Sequence, residues 1–231
     1  LVLASGGGSA LLEVPAYGVA IEEIGRIASE LMSRGADIEE LNAVRRALSD
    51  VKGGRLAAAS RAPILTLVAE DVSGRPEIVA SGPTFPTTLD AAAEILARHG
   101  VGTTAAGRRA IARARPTIGV ALVAEVVADN TSARRAVIAR GASLGIDFVD
   151  RGELLRGEAR LAGVEVARLT RASRTPFVCG GETTVTVRGR GVGGRSQELV
   201  LSAYLEEPSG LICAFGTDGI DGSSSHAGAY L

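Results

Sequence analysis

The residues best suited to chemistry sit in glycine-rich stretches, and the densest of these is CGGETTVTVRGRGVGGRSQ, Cys179 to Gln197. A short apolar strand, Phe177 to Cys179, runs into two glycines, then Glu182, Thr183 and Thr184. Val185 and Val187 alternate with polar neighbours, the period of a half-buried strand. Gly189, Gly191, Gly193 and Gly194 interleave with Arg188, Arg190 and Arg195 before Ser196, Gln197 and a helical run through Leu205. Backbone amides and guanidinium forks both match phosphate or carboxylate oxygens, so this pattern suits an anionic ligand. A solvated hairpin is the alternative reading of the same residues.

Two further stretches offer anion-binding chemistry. After the apolar strand Leu1 to Ala4 come Ser5, Gly6, Gly7, Gly8 and Ser9, followed by a helix start at Ala10. Amides of such a turn can converge on an anion. The sequence is neither the Walker pattern, since no Lys-Ser/Thr pair follows, nor the GxGxxG fingerprint. A tight structural turn explains it equally well. Lys52-Gly53-Gly54-Arg55 closes a helix that Asp37 can cap, and there two cations flank two glycines. Ordinary capping by cations is the competing explanation.

The carboxylates come at strand ends. Asp71 follows the strand Ile64 to Val68, where acids of open α/β sheets reach ligands or their metal ions. Asp218 and Asp221 lie in GTDGIDG after the strand Leu211 to Phe215, at a spacing fit for a cation or substrate hydroxyls but lacking the other ligands of a calcium loop. Ser81-Gly82-Pro83 forms a rigid polar turn, and Asp129-Asn130-Thr131 can cap a helix. With two histidines and two cysteines in the chain, zinc is a poor prospect, and Cys179 and Cys213 read as buried thiols.

Composition sets the outer bounds. A chain of 231 residues with formal net charge -1 can bury one large core or two modest ones. The balance argues against a nucleic-acid or membrane-surface role. No apolar run reaches the length of a membrane span and no signal peptide is visible, so the cytoplasm is the expected location. Amphipathic helices are expected over Ile21 to Leu31, Asp37 to Leu48, Leu89 to Arg98, Thr103 to Arg115 and Leu154 to Thr170, with strands at Ile118 to Val127 and Gly145 to Val149 between them. Arg108, Arg109, Arg113 and Arg115 read as a solvated face. The alternation of strands and helices is a βαβ pattern. The apolar beginning and end read as a piece of a longer protein, expected to fold poorly alone.

Several motifs together resemble the glycerate 2-kinase family, whose C-terminal part is called the MOFRL domain and whose members have often been labelled hydroxypyruvate reductases. They are LVLASGGGSALLEVP from Leu1, GADIEELNAVRRALSDVKGGRLA from Gly35, IVASGPT from Ile78, GEAR from Gly157, GGETTVTVRGRGVGGRSQE from Gly180 and GTDGIDG from Gly216. The resemblance implies an α/β architecture. A Rossmann-like, mostly parallel sheet domain over residues 1–170 would precede a smaller mixed α/β domain over 171–231, with the site in a cleft between them formed by the loops at Ser5, Lys52, Glu182 and Asp218. This chain departs from the family at Ala128-Asp129-Asn130, where Gly-Ser-Asn is usual, and at Glu70-Asp71, where Ser-Asp is usual. The family's upstream glycine-lysine motif has no match.

The implied reaction is ATP-dependent phosphorylation of D-glycerate on its 2-hydroxyl, with Mg2+ bridging the phosphates. Lys52 and Arg195 take the catalytic roles in this reading. Ser5, Gly6, Gly7, Gly8, Ser9, Arg55, Glu182, Thr183 and Gln197 bind substrate or phosphate. Asn130, Ser81 and Gly82 contact the nucleotide, and Asp71, Asp218 and Asp221 hold the metal. The partner is the small molecule, with no nucleic acid and no membrane, and a homodimer is left open. A hydroxypyruvate reductase would need the absent nicotinamide fingerprint. A non-catalytic sugar-acid or nucleotide-binding module is the other alternative.

Overall fold

The computed structural model describes residues 1–70, 74–86, 91–114 and 116–231. Asp71 therefore lies outside the described residues, as does the beginning of the helix expected from Leu89. The chain divides into two compact units, residues 1–129 and 130–231. The expected division at 170 falls inside a helix, Ala159–Ala172.

The first unit joins a parallel sheet to a layer of helices. Its elements are β1 (Val2–Ala4), α1 (Gly8–Leu11), α2 (Ile21–Ser33), α3 (Ile38–Ala47), α4 (Arg55–Ala58), β2 (Ile64–Ala69), a 3-10 turn at Pro76–Ser81, α5 (Ala92–Arg98), α6 (Ala105–Ile111) and β3 (Leu122–Ala128). The sheet order is β1-β2-β3, and both pairings are parallel. Central β2 alternates as a strand should, with Ile64, Thr66 and Val68 buried. Along β1, Ala4 is buried, Val2 half-buried and Leu3 exposed.

The helical core follows the 3.6-residue period. Ile24, Ile27 and Leu31 of α2 meet Leu41, Val44 and Leu48 at α3 and Ile95 and Leu96 of α5. Each such fully buried side chain stabilises by about 1.5–3 kcal/mol. Asp37 caps α3 as expected and does so reciprocally. Its carboxylate accepts from the Glu40 amide at 2.8 Å, and the Glu40 carboxylate accepts from the Asp37 amide at 3.1 Å.

Buried Glu23 of α2 ties down the start of α6, accepting from the Thr104 amide at 2.7 Å and from the hydroxyls of Thr103 and Thr104. Burial pushes its carboxyl up, but the Thr104 amide, the two threonine hydroxyls and Arg26 outweigh this and leave it below its ordinary 4.5. A folded value below the unfolded one means that the stabilisation is present above the unfolded value and is lost as pH falls through the folded one. Glu23→Gln is expected to flatten the acid limb of stability measured by urea unfolding from about pH 7 to about pH 3.

The second unit is mixed. It contains α7 (Asn130–Ala142), β4 (Val149–Asp150), β5 (Leu155–Glu158), α8 (Ala159–Ala172), β6 (Phe177–Val178), β7 (Gly181–Thr184), α9 (Arg195–Leu205), β8 (Cys213–Phe215) and β9 (Gly228–Tyr230). β4 pairs with β6 and β5 with β7, both parallel, while β8 and β9 are antiparallel. The expected helix from Leu154 begins later, because Leu155–Glu158 pairs as a strand before α8. The strand expected around Val185 and Val187 ends at Thr184.

Helices α8 and α9 pack through Ala159, Ala162, Val166 and Ala167 against Leu199, Val200 and Ala203. Small residues let the axes approach, and a Cβ at Gly163 would stand 2.3 Å from the Leu199 carbonyl oxygen. Cys213 is exposed rather than buried, and Cys179 is half-buried with its thiol pushed up by burial.

Candidate functional site

In the first unit, three loops are knitted together at the ends of β1 and α3 and around the 3-10 turn. Gly7 turns at φ +80, and a Cβ at Gly8 would lie 2.6 Å from the Ala80 side chain, so the SGGGS loop rests on the turn at residues 76–81. Ser81, itself fully buried, donates its hydroxyl to the Ser9 hydroxyl at 2.9 Å. The Ser81 and Gly82 carbonyls accept the amides of Gly53 at 3.1 Å and Gly54 at 2.8 Å. Gly53 (φ +61) and Gly54 (φ +81) require the left-handed region that favours glycine, and a Cβ at Gly54 would press on the backbone of Phe85 and Pro86.

Ala80 and Ser81 also have positive φ, an uncommon strain for residues that carry a Cβ. Ser81 and Gly82, expected at the nucleotide, thus connect the SGGGS and KGGR loops. Ser5, Gly6 and Gly7 are exposed. α1 spans only one turn, so it offers little helix dipole to an anion.

Lys52 was expected to reach a phosphate. Its side chain is 1% exposed, and its ammonium donates to the Glu13 carboxylate at 2.5 Å. The Ser49 hydroxyl, fully buried, accepts the amides of Val51 at 3.2 Å and Lys52 at 3.3 Å and fixes the approach to the loop. Arg113, read from sequence as a solvated cation, turns inward. It pairs with Asp50 and donates to the carbonyls of Ala47 at 3.2 Å, Ser49 at 3.1 Å and Ala110 at 3.1 Å. The bonds to Ala47 and Ser49 satisfy carbonyls at and just beyond the end of α3. The sequence gives one usable signal for this role, a basic residue at the end of a short helix.

In the second unit, Arg195 opens α9. It donates to Glu182 at 2.6 Å and to the Thr183 carbonyl at 3.2 Å, with both charged side chains about half exposed. An exposed pair of this kind contributes at most about 1 kcal/mol, so ligand competition for either partner is inexpensive. Thr183 is buried and Gln197 half-buried, with the Gln197 Nε2 shielded from solvent and lacking an acceptor.

Asp221, expected at a metal, is 3% exposed, and both its oxygens are committed. Oδ1 accepts the Ser196 amide at 2.9 Å and Oδ2 the Gln197 amide at 2.8 Å. It caps α9, whose own N-cap, Gly194, has no side chain to do so. Asp218 is exposed, with one oxygen on the Ile220 amide at 3.2 Å. Asn130, expected at the nucleotide, accepts from Arg134, which also donates to Asp150 at 2.8 Å. A Cβ at Gly180 would stand 2.1 Å from the Asn130 side chain.

The expected site residues therefore gather into two groups. The Ser5 and Lys52 loops belong to the first unit, and the Glu182 and Asp218 loops to the second. Among the described residues no group of three His, Cys, Asp or Glu side chains could hold a metal ion. Also among them, no helix is long and apolar enough to cross a membrane.

Comparison with known proteins gives this arrangement a context. Residues 1–112 match the family model described as a domain of unknown function, DUF4147, and residues 175–231 match the model of the MOFRL family. The D-glycerate 2-kinase of Thermotoga maritima is 39% identical over 251 residues, covering 100% of this chain and 59% of that protein. The glycerate 2-kinase of Pyrococcus horikoshii is 36% identical over 260 residues, covering 100% of this chain and 58% of the relative. The chain thus spans about three fifths of the length of these relatives. A crystal structure of glycerate kinase from Thermotoga maritima superposes with a TM-score of 0.86 at 36% identity, over 99% of this chain and 59% of that one. Matched along its whole length by these kinases and sharing the fold of one, the chain belongs to the MOFRL/glycerate kinase family.

Proposed function

We propose that the protein carrying this chain phosphorylates D-glycerate with ATP, placing the phosphoryl group on the 2-hydroxyl. The observation that carries this reading is the end-to-end match, at 39% identity, to a D-glycerate 2-kinase. The residues support it chemically. Phosphoryl transfer asks for positioning and for neutralisation of charge on the moving group, and less for a strong base. The exposed Ser5–Gly7 segment offers backbone that a ligand can approach, while Gly53 and Gly54 spend their amides on the Ser81 and Gly82 carbonyls and hold that loop in place. Arg195 holds its guanidinium at the surface, in a pair that a ligand can replace at little cost.

Magnesium is the implied cofactor, and the donors fit it unequally. Asp221 spends both oxygens on helix amides. Asp218 is exposed and fits an ion that takes one or two carboxylates and completes its shell with phosphates and water. In this reading Asp218 would hold Mg2+, which would supply neutralisation of charge on the phosphates.

The test is a pair of assays on the purified protein. D-Glycerate with MgATP is expected to release ADP, with the product identified as 2-phosphoglycerate by phosphorus NMR. Hydroxypyruvate with NADH is expected to leave the NADH unoxidised. Oxidation of NADH without ADP release would overturn the proposal.

A further inference from the structure

Arg55 carries an unmet demand for oxygen. Its Nε and Nη2 are both shielded from solvent, and neither has an acceptor. These two nitrogens lie along the same edge of the planar guanidinium, the edge that grips two oxygens side by side. A buried donor left without a partner costs the full desolvation of that group, so this edge carries the penalty twice. The other orphaned buried atoms among the described residues are single ones: Glu13 Oε1, Asn42 Oδ1, Arg46 Nε and Gln197 Nε2.

The charges around Arg55 explain why its edge stays free. Asp50 is the acid whose field favours the charged form of Arg55, while Arg113 opposes it. The Asp50 carboxylate is claimed by Arg113, whose remaining donors go to the carbonyls of Ala47, Ser49 and Ala110. The Asp50 carboxylate is thus paired with Arg113, and the Nε and Nη2 of Arg55 have no acceptor. Burial, the largest influence, pulls its guanidinium below the ordinary value, and Arg113 pulls in the same direction. The residue sits just after Gly54, whose amide is bonded to the Gly82 carbonyl at 2.8 Å, so its backbone is fixed against the strained turn at Ala80–Gly82.

We propose that the Nε–Nη2 edge of Arg55 is a two-pronged receptor for an oxyanion of the substrates, and that Arg113 keeps it open by occupying Asp50. The identity of the oxyanion rests on the glycerate-kinase reading. That reading provides two sources of paired oxygens, the carboxylate of the hydroxy acid and the phosphates of the nucleotide. Arg113 is a positioning residue in this scheme.

The test separates binding from turnover. Dissociation constants for D-glycerate, MgATP and inorganic phosphate are measured by calorimetry for the wild-type protein, Arg55→Met and Arg55→Lys, together with ligand-free melting temperatures. Arg55→Met is expected to weaken one ligand class by about 30-fold or more, the loss of a charge-assisted two-point contact. It should melt no lower than the wild type, because it removes two unsatisfied donors. A loss confined to D-glycerate assigns the carboxylate, and a loss confined to MgATP and phosphate assigns the phosphoryl oxygens. Either result supports the receptor.

Unchanged affinity for all three ligands would overturn the receptor, as would a wild-type protein that binds none of them. If Arg55→Met melts lower, Arg55→Lys decides. A loss of about tenfold from trading the fork for a point charge supports the proposal, and full affinity overturns it. Arg113→Met is expected to weaken the same ligand class by releasing Asp50 to pair with Arg55, and the added Asp50→Asn substitution should restore that affinity. Failure of the Arg113→Met effect would overturn the positioning role. Binding without any glycerate phosphorylation would sink the proposed reaction and leave the receptor standing.

Discussion

Replacing Lys52 with methionine is expected to lower stability by about 3–5 kcal/mol, the cost of breaking a buried ion pair from one side. The side chain of Lys52 is 1% exposed and that of Glu13 is 11% exposed, so neither charge can recover its hydration when its partner is removed. Glu13 already has one oxygen, Oε1, without a partner. Methionine at position 52 would strand the second one. Glu13→Gln should be similarly costly, because it leaves an ammonium in a site closed to water. The double variant Glu13→Leu/Lys52→Met removes both charges and is expected to regain most of the loss, since apolar replacements of whole buried pairs are often near neutral.

The coupling energy from this cycle, read by urea unfolding, separates two roles for Lys52. A lysine that serves only to grip phosphate would leave the melting curve of Lys52→Met unchanged while turnover collapsed. A lysine that pins the segment after α1 to the KGGR loop would give the large, mutually compensating stability losses described here. The observed commitment of its ammonium to Glu13 favours the second result.

This contrast shows what the sequence could and could not disclose. Glycines at positions 53 and 54 announce a left-handed turn, because few other residues adopt it cheaply. The cap at Asp37 is equally local, since the partner amide lies three residues away. The parallel sheet of the first unit was readable from the alternation of apolar strands with amphipathic helices.

What stayed hidden depends on partners distant in the chain. Nothing near Lys52 in the sequence announces Glu13, far upstream, as the carboxylate its ammonium meets. Arg113 reads as a solvated cation on a basic helix, and only the fold shows α6 delivering it to the end of α3. Asp218 and Asp221 are alike in composition and context. Their fates diverge because one remains in solvent and the other meets the beginning of α9.

Asp221→Ala is expected to cost about 2–4 kcal/mol, from the loss of two charge-assisted hydrogen bonds and a favourable helix-dipole contact, terms that overlap and do not add fully. The carboxylate reaches α9 from a loop more than twenty residues downstream and accepts the Ser196 and Gln197 amides, which otherwise have no cap. Its removal leaves those amides searching for water in a place where Asp221 is 3% exposed. The functional consequence follows from position. Arg195 is the first residue of α9, and its reach toward Glu182 and the Thr183 carbonyl depends on where that first turn begins. Fraying there should move the guanidinium and lower turnover together with stability.

Asp221→Asn keeps one acceptor oxygen and loses the charge, so it should fall between the wild type and alanine in melting temperature. A titration of activity against magnesium distinguishes this account from direct metal binding. A capping residue predicts lower melting temperatures with an unchanged magnesium requirement. A metal ligand predicts the opposite, a protein that melts normally and needs far more magnesium. Since both oxygens of Asp221 already face backbone amides, the first outcome is expected, and the magnesium requirement should respond to Asp218→Asn instead.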